Sequence, residues 1–308
     1  MDSIQKDLLL QIADLHSTPE GAFNIRANGE SQGRNSTENI EIVSKTDGKS
    51  GIDIFIKPNT KNESVHIPVL ISKAGLQECV YNDFYIGQDA DVVIVAGCGI
   101  HNCGGVQLES RHDGIHTFHV GKNSKLRYVE KHYGSADGKG KNVMNPTTVI
   151  ELDENAVMEM ESTQIKGIDD TIRKTSATLK ENARLVIKEK IMTHGDQFAQ
   201  TDFVVDLNGE NSVADVVSRS VAKDKSYQVY NSNIRGNNAC TGHTECDAII
   251  MDEAKVVAVP SLEANNIDAS LIHEAAIGKI AGEQIIKLMT LGLSEKEAEE
   301  QIINGFLK

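Results

Sequence analysis

Cys240 and Cys246 stand in the run Cys240-Thr241-Gly242-His243-Thr244-Glu245-Cys246-Asp247, and the pair His273-Glu274 begins twenty-seven residues beyond Cys246. Thiolate and imidazole are ligands for zinc or iron, and a fold whose coils are about that long would bring the second pair beside the first. The same spacing also fits a buried cysteine beside a satisfied polar corner, so a metal site and plain packing are both open at this level. A second group lies upstream, where Cys98 is followed by His101, Cys103, His112, His116, His119 and His132. In alternating strands such imidazoles can sit in a core or line a passage between coils. The five cysteines are completed by Cys79, and the start of the chain has no basic region followed by an apolar run. An odd number of thiols without a secretory signal points to a cytoplasmic chain with reduced cysteines available for metal or sulfur chemistry.

The elements that must position these residues are read from periodicity. Ile4, Leu8, Ile12 and Leu15 at helical spacing, with Ser3 as cap, predict a short opening helix over residues 3–15. The polar stretch that follows, through residue 38, reads as a loop or mobile arm. From residue 39 the period becomes two: Ile40 and Ile42, then Ile52, Ile54 and Ile56, then Val65, Ile67, Val69 and Ile71. A cue then recurs, a polar pair and a small residue before an alternating strand, with the small residue at 90, 124, 156, 183, 212 and 254. These positions are 34, 32, 27, 29 and 42 apart. A loose period near thirty with Asn or Asp at tight corners predicts a mainly β fold, a right-handed parallel β-helix, with a sandwich or barrel as the competing architecture. After residue 271 the period returns to helical through Ile277, Ile280, Ile285, Ile286 and Met289. Ser294-Glu295-Lys296-Glu297 then forms a capping box for a last helix. The expected organisation is an N-terminal helix and arm over 1–38, a β-helix core over 39–270 and a C-terminal helical segment over 271–308.

Composition narrows the function. Forty-five acidic against 31 basic residues give a net charge of −14, which repels a phosphate backbone and disfavours nucleic acid. No stretch approaches the roughly 18 continuous apolar residues of a membrane span. Gly48-Lys49-Ser50 imitates the end of a phosphate-binding loop, but Val43 stands where that motif needs glycine, so ATP binding by this chain is not expected. A zinc-binding structural module using Cys240, His243, Cys246 and His273 fits the spacing. A β-helix enzyme acting on polysaccharide fits the fold better than it fits the thiols.

The runs Thr244-Glu245-Cys246-Asp247-Ala248-Ile249-Ile250 and Ile272-His273-Glu274-Ala275-Ala276-Ile277-Gly278-Lys279-Ile280, then Glu283-Gln284, Gly292-Leu293-Ser294 and Ile302-Ile303-Asn304-Gly305-Phe306, keep one order and spacing. Together they closely resemble the C-terminal signature of the SufB/SufD family of iron–sulfur cluster assembly proteins. Val95-Ala96-Gly97-Cys98, with Ile115-His116 and Lys122-Asn123-Ser124-Lys125-Leu126, resembles a further family segment. The resemblance implies a scaffold and not an enzyme. It implies that Cys98 accepts sulfur from a cysteine-desulfurase-derived donor, and that Cys246, Glu274 and His273 hold a nascent Fe–S cluster near a dimer interface. Cys240 and His243 are additional ligand candidates, and zinc is the adventitious ion such a site would collect. The helical segment, through Ile280, Ile285, Ile286 and Met289, resembles the part that docks on a SufC-type ABC ATPase, and the dimer partner would be a second copy or a SufB/SufD paralogue. Ile272 stands where a SufB has an acidic residue, and the chain is shorter than the long SufB form. His273-Glu274 is nevertheless the SufB-like pair, where SufD proteins have His-Gly.

Overall fold

The computed structural model describes residues 1–103, 108–137 and 139–308. Strands make up 59% of it and wind into a β-solenoid of about eight turns. Each full coil contributes one strand to each of two ten-stranded sheets, and apart from the N-terminal hairpins the neighbours pair in parallel. The first sheet carries the strands Asp91–Asn102, Lys125–Ala136, Val157–Lys166, Arg184–Thr193, Val213–Ala222, Thr241–Ile250 and Ser270–Gly278, and therefore both Cys98 and Cys246. Inward residues are buried and outward ones partly exposed in strict alternation, as in the strand Tyr227–Gly236. The core runs the length of the coil, from Ile40 and Phe84 through Phe118 and Leu185 to Val216 and Cys246.

The corners explain the recurring sequence cue. Asn59, Asp89, Asn123, Asn155, Asn182 and Asn211 take left-handed backbone angles, φ 56° to 63°, which Asn and Asp tolerate better than other side chains. The next residue begins a stacked column in which each backbone carbonyl accepts from the coil above: Asp91 N to Thr60 O, Lys125 N to Ala90 O, Thr241 N to Ser212 O, Ser270 N to Cys240 O. Cys240 is thus a small, buried corner residue. Ala254 stacks on the opposite corner, where Lys255 N bonds Ser226 O. The 42-residue gap in the cue arises because every tight corner, on either side, asks for the same polar–small pair.

Three further expectations are corrected. Residues 16–38 are not a free arm, for Ala22–Ala27 and Glu30–Asn35 form an antiparallel hairpin whose first strand joins the first sheet. Its polar outer strand lies at the sheet edge and so lacks the apolar alternation that marks a strand. The opening helix α1 (Ser3–Ala13) is capped by Asp2, whose side chain accepts from Gln5 N, and not by Ser3. Leu8, Leu9 and Ile12 are buried against the first sheet. Gly97 makes that contact possible, since a Cβ there would stand 2.9 Å from the Ile12 Cβ.

The C-terminal helical segment begins later than residue 271, because Ser270–Gly278 is still a solenoid strand. Its apolar spacing satisfies both periods, and only pairing with Thr241–Ile250 decides between them. The helices are α2 (Gly282–Met289) and α3 (Glu295–Phe306), the latter with the expected Ser294/Glu297 capping box. Ile303 and Leu307 pack on Val221, Met192 and Ile249, on the outer face of the first sheet. Among the described residues no helix is long and apolar enough to cross a membrane.

Candidate functional site in the solenoid interior and at its open end

Alternation divides the ligand candidates between the two faces of one sheet. In the strand Thr241–Ile250 the residues Gly242, Thr244, Cys246 and Ala248 point inward, while His243, Glu245 and Asp247 point outward. The next strand pairs in register, Thr244 with His273, Glu245 with Glu274 and Cys246 with Ala275. Cys246 and His273 therefore share the interior, and Glu274 joins His243 and Glu245 outside. In a single protomer the Cys246 thiol and the Glu274 carboxylate are separated by the sheet. The four ligands of a zinc module are divided too, with Cys240 in a corner, Cys246 and His273 inside and His243 outside.

Cys246 is 2% exposed, and burial, with Glu189 and Asp247 nearby, pushes its thiol up to about 12. It lies one coil from the end of the solenoid, covered there by the methyl group of the exposed Ala275. The terminal strands Lys255–Ala264 and Ser270–Gly278 expose Val259, Leu262, Ile272 and Ile277, and each pairs on one side only. His273 Nδ1 is buried there without a hydrogen-bond partner.

Cys98 lies deep inside the same sheet, in the N-terminal half of the solenoid. Burial, then the carboxylates of Glu78 and Glu130, raise its thiol well above the ordinary range. It lines a small cavity with His112, His116, Glu130 and His132. From this cavity a buried polar seam runs along the coil axis. His116 Nδ1 meets the Tyr128 hydroxyl at 2.8 Å, and that hydroxyl donates to Glu130 Oε1 at 2.9 Å. Arg173 then spans two buried carboxylates, with N–H to Glu130 Oε2 at 3.3 Å and to Glu189 Oε1 at 3.2 Å. It also donates to His132 Nδ1 at 2.8 Å and to the Ser162 hydroxyl. Ser218 donates to Glu189 Oε2 at 2.8 Å, and Glu189, Ser218, Tyr230 and Cys246 line the last cavity.

The register explains the continuity, because Glu130, Ser162, Glu189, Ser218 and Cys246 occupy one aligned row of adjacent strands. One guanidinium faces two carboxylates, which sets their charge states. Burial alone raises Glu130, but His132, Arg173 and His116 overturn it and hold it well below the usual range. Burial raises Glu189, only partly opposed by Arg173 and its hydroxyl partners. Burial lowers His116 to about 4, so that ring is neutral near pH 7.

The profile described as "SUF system FeS cluster assembly, SufBD core domain" matches residues 79–306, which takes in both cysteines, the seam and both terminal helices. The chain belongs to the SufBD family. A SufBD family iron–sulfur cluster assembly protein of Methanocaldococcus jannaschii is 28% identical over 264 residues, covering 85% of this chain and 82% of that one. A SufBD family protein of Pyrococcus horikoshii is 29% identical over 281 residues, covering 89% and 83%. The iron–sulfur cluster assembly protein SufB of Bacillus subtilis is 28% identical over 229 residues, 72% of this chain and 47% of that longer one.

The SufBD resemblance read from the C-terminal signature thus holds for most of the chain. Sequence reasoning missed Arg173, Glu130, Glu189 and Ser218. The signal was present as charged or hydroxyl residues in phase with the buried apolar ones, as in Leu126, Tyr128, Glu130 and His132. Of the residues expected to dock a partner, Ile280 packs towards α3, whereas Ile286 and Met289 are 62% and 43% exposed.

Proposed function

We propose that this SufBD family protein is a scaffold that moves sulfur through its interior from Cys98 to Cys246 and builds a cluster at its open end. The observation that carries this reading is the buried row Glu130, Ser162, Glu189, Ser218 and Cys246, whose first member shares a cavity with Cys98. Such a row is costly to bury, and purely structural packing would favour apolar side chains there, as at Met160, Ile187 and Val216 in the row beside it. At the first step the Cys98 thiolate attacks the outer sulfur of a donor persulfide, the donor thiolate leaves, and the sulfur keeps its oxidation state. An external thiol reductant then supplies two electrons, which break the S–S bond at Cys98, return Cys98 as a thiol and release hydrosulfide. Ser162, Ser218 and the Arg173 cation, which offsets Glu130 and Glu189, line its way to Cys246.

Cys246 and His273 face the open end as soft and borderline ligands for iron, and Glu274 stands at the rim on the outer side of the same strand. A second protomer or a SufB/SufD paralogue closes that end, covering the unpaired strand edges and the exposed Val259, Leu262 and Ile277. The exposed apolar face of α2 docks a SufC-type ATPase, and nucleotide-driven closure then strains the dimer contact. In this reading the chain carries the cargo and the ATPase supplies the work.

Persulfide mapping by mass spectrometry after anaerobic loading tests the route. Wild-type protein should carry persulfide label at Cys98, and once reductant and iron are added that label should appear as sulfide in the cluster. Arg173→Met should stop label at Cys98, and Cys246→Ser should abolish cluster absorbance while leaving Cys98 labelled. Cluster formation at full yield in Cys246→Ser would refute the assignment. Copurification with a SufC-type ATPase, lost in Ile286→Asp, tests the docking face.

A further inference from the structure

The outer face of the terminal coils carries a second ligand set that shares no side chain with the interior seam. His243, Glu245 and Glu274 each offer a donor atom, all within 4.8 Å of one another, and His243 Nε2 lies 3.8 Å from Glu274 Oε2. On the other side of the ring, Nδ1 is 2.8 Å from Asp215 Oδ1 on the adjacent strand. A carboxylate oxygen accepts, so Nδ1–H donates to Asp215 and the Nε2 lone pair is left facing the two glutamates. A carboxylate behind an imidazole, with the free nitrogen aimed at further carboxylates, is the order in which proteins orient a metal-binding histidine.

We propose that His243, Glu245 and Glu274 bind a divalent first-row transition-metal ion on the outside of the sheet, with Asp215 as the residue that positions the imidazole. One nitrogen and two carboxylates, without sulfur, select borderline ions such as Fe(II), Mn(II), Co(II) or Zn(II) over Cu(I). Ligand atoms around such an ion stand about 3 to 3.5 Å apart, which the half-exposed Glu245 and the exposed Glu274 can reach by side-chain rotation. Arg219, whose guanidinium is 4.0 Å from Glu245 Oε1, is the internal cation that the metal would displace. Three protein ligands leave positions for water, so the ion is exchangeable. That the physiological ion is ferrous iron rests on the scaffold reading above. Within that reading, iron waits on the outer face while sulfur arrives on the inner face, and the sheet separates them until both reach the open end.

The experiment titrates the full-length chain anaerobically with Mn(II), followed by spin resonance, and with Co(II), followed by its visible absorbance. One ion per chain should bind. His243→Ala and Glu274→Gln should each weaken it at least tenfold, and Asp215→Asn should weaken it about tenfold, with Asp215→Glu restoring it. The titration is run in a Cys246→Ser background, so that the interior thiol contributes no metal ligand. Because these side chains face solvent, the melting temperatures of the outer-face variants should match wild type. Unchanged binding in both His243→Ala and Glu274→Gln would overturn the site, as would absence of Co(II) binding in the Cys246→Ser background. Failure of sulfur relay in Arg173→Met bears only on the scaffold reading, so the two failures are distinguishable.

Discussion

The strand Thr241–Ile250 presents two chemistries on its two faces. Inside, Thr244 and Cys246 are 0% and 2% exposed, and the nearest charge, on Glu189, is held by Ser218, Thr201 and Arg173. Outside, His243, Glu245 and Asp247 are only partly covered. A charge inside must be compensated by a fixed neighbour or lose its ionisation, whereas one outside keeps it at little cost. The interior therefore keeps its charged groups in fixed contacts, and the exterior leaves them open to solvent. The comparison also indicates where substitutions should be severe.

The largest effect is expected at Arg173. Arg173→Met leaves Glu130 and Glu189 buried without their shared cation and should cost about 3 to 5 kcal/mol, seen as a large fall in melting temperature. Adding Glu189→Gln to that variant should recover part of the loss, and a double variant no better than the single would show that the two groups are not coupled.

Next comes pH. His116 has a depressed folded value of about 4 against roughly 6.5 when unfolded. The unfolded chain thus binds the proton first, and the stabilisation present above pH 6.5 is lost as pH falls towards 4. Denaturant unfolding at pH 7 and pH 5 should show a decrease of order 2 kcal/mol, and His116→Gln should flatten it. An unchanged pH slope in that variant would move the effect to another group.

A smaller change is expected at Gly97, where an added Cβ would stand 2.8 Å from Lys131 O as well as against Ile12. Gly97→Ala should cost about 1 to 3 kcal/mol and loosen α1, raising amide exchange across residues 3–13. The outer face gives the smallest effect, since Glu274→Gln should change stability by less than about 0.5 kcal/mol while weakening metal binding as above. A large loss of stability there would blur the contrast between the faces.

Much of the solenoid could be read from residues alone. The period of two from Ile40 onward, and the Asn–Ser or Asn–Ala corners, reflect local constraints that each coil meets independently. The hairpin over residues 22–35 was not legible, because its outer strand Glu30–Asn35 is almost wholly exposed and shows no buried face. From residue 271 the strand Ser270–Gly278 reads as helix, because its apolar residues fit both periods and only its pairing with Thr241–Ile250 decides between them. Cys240 reads equally as a ligand candidate and as a packed residue, because a cysteine can fill a corner as well as an alanine can; the fold places it in a corner.

The sequence by itself determined the family, the coil-and-corner architecture and the residue types for thiol and imidazole chemistry, since these follow from local period and motif. Tertiary structure alone decided which of those residues meet. Parallel pairing fixes the register of each coil on the next, and in a strand a shift of one residue carries a side chain through the sheet. Adjacent register positions thus placed Cys246 in line with Glu189 and Ser218, and Glu274 with His243 on the other side.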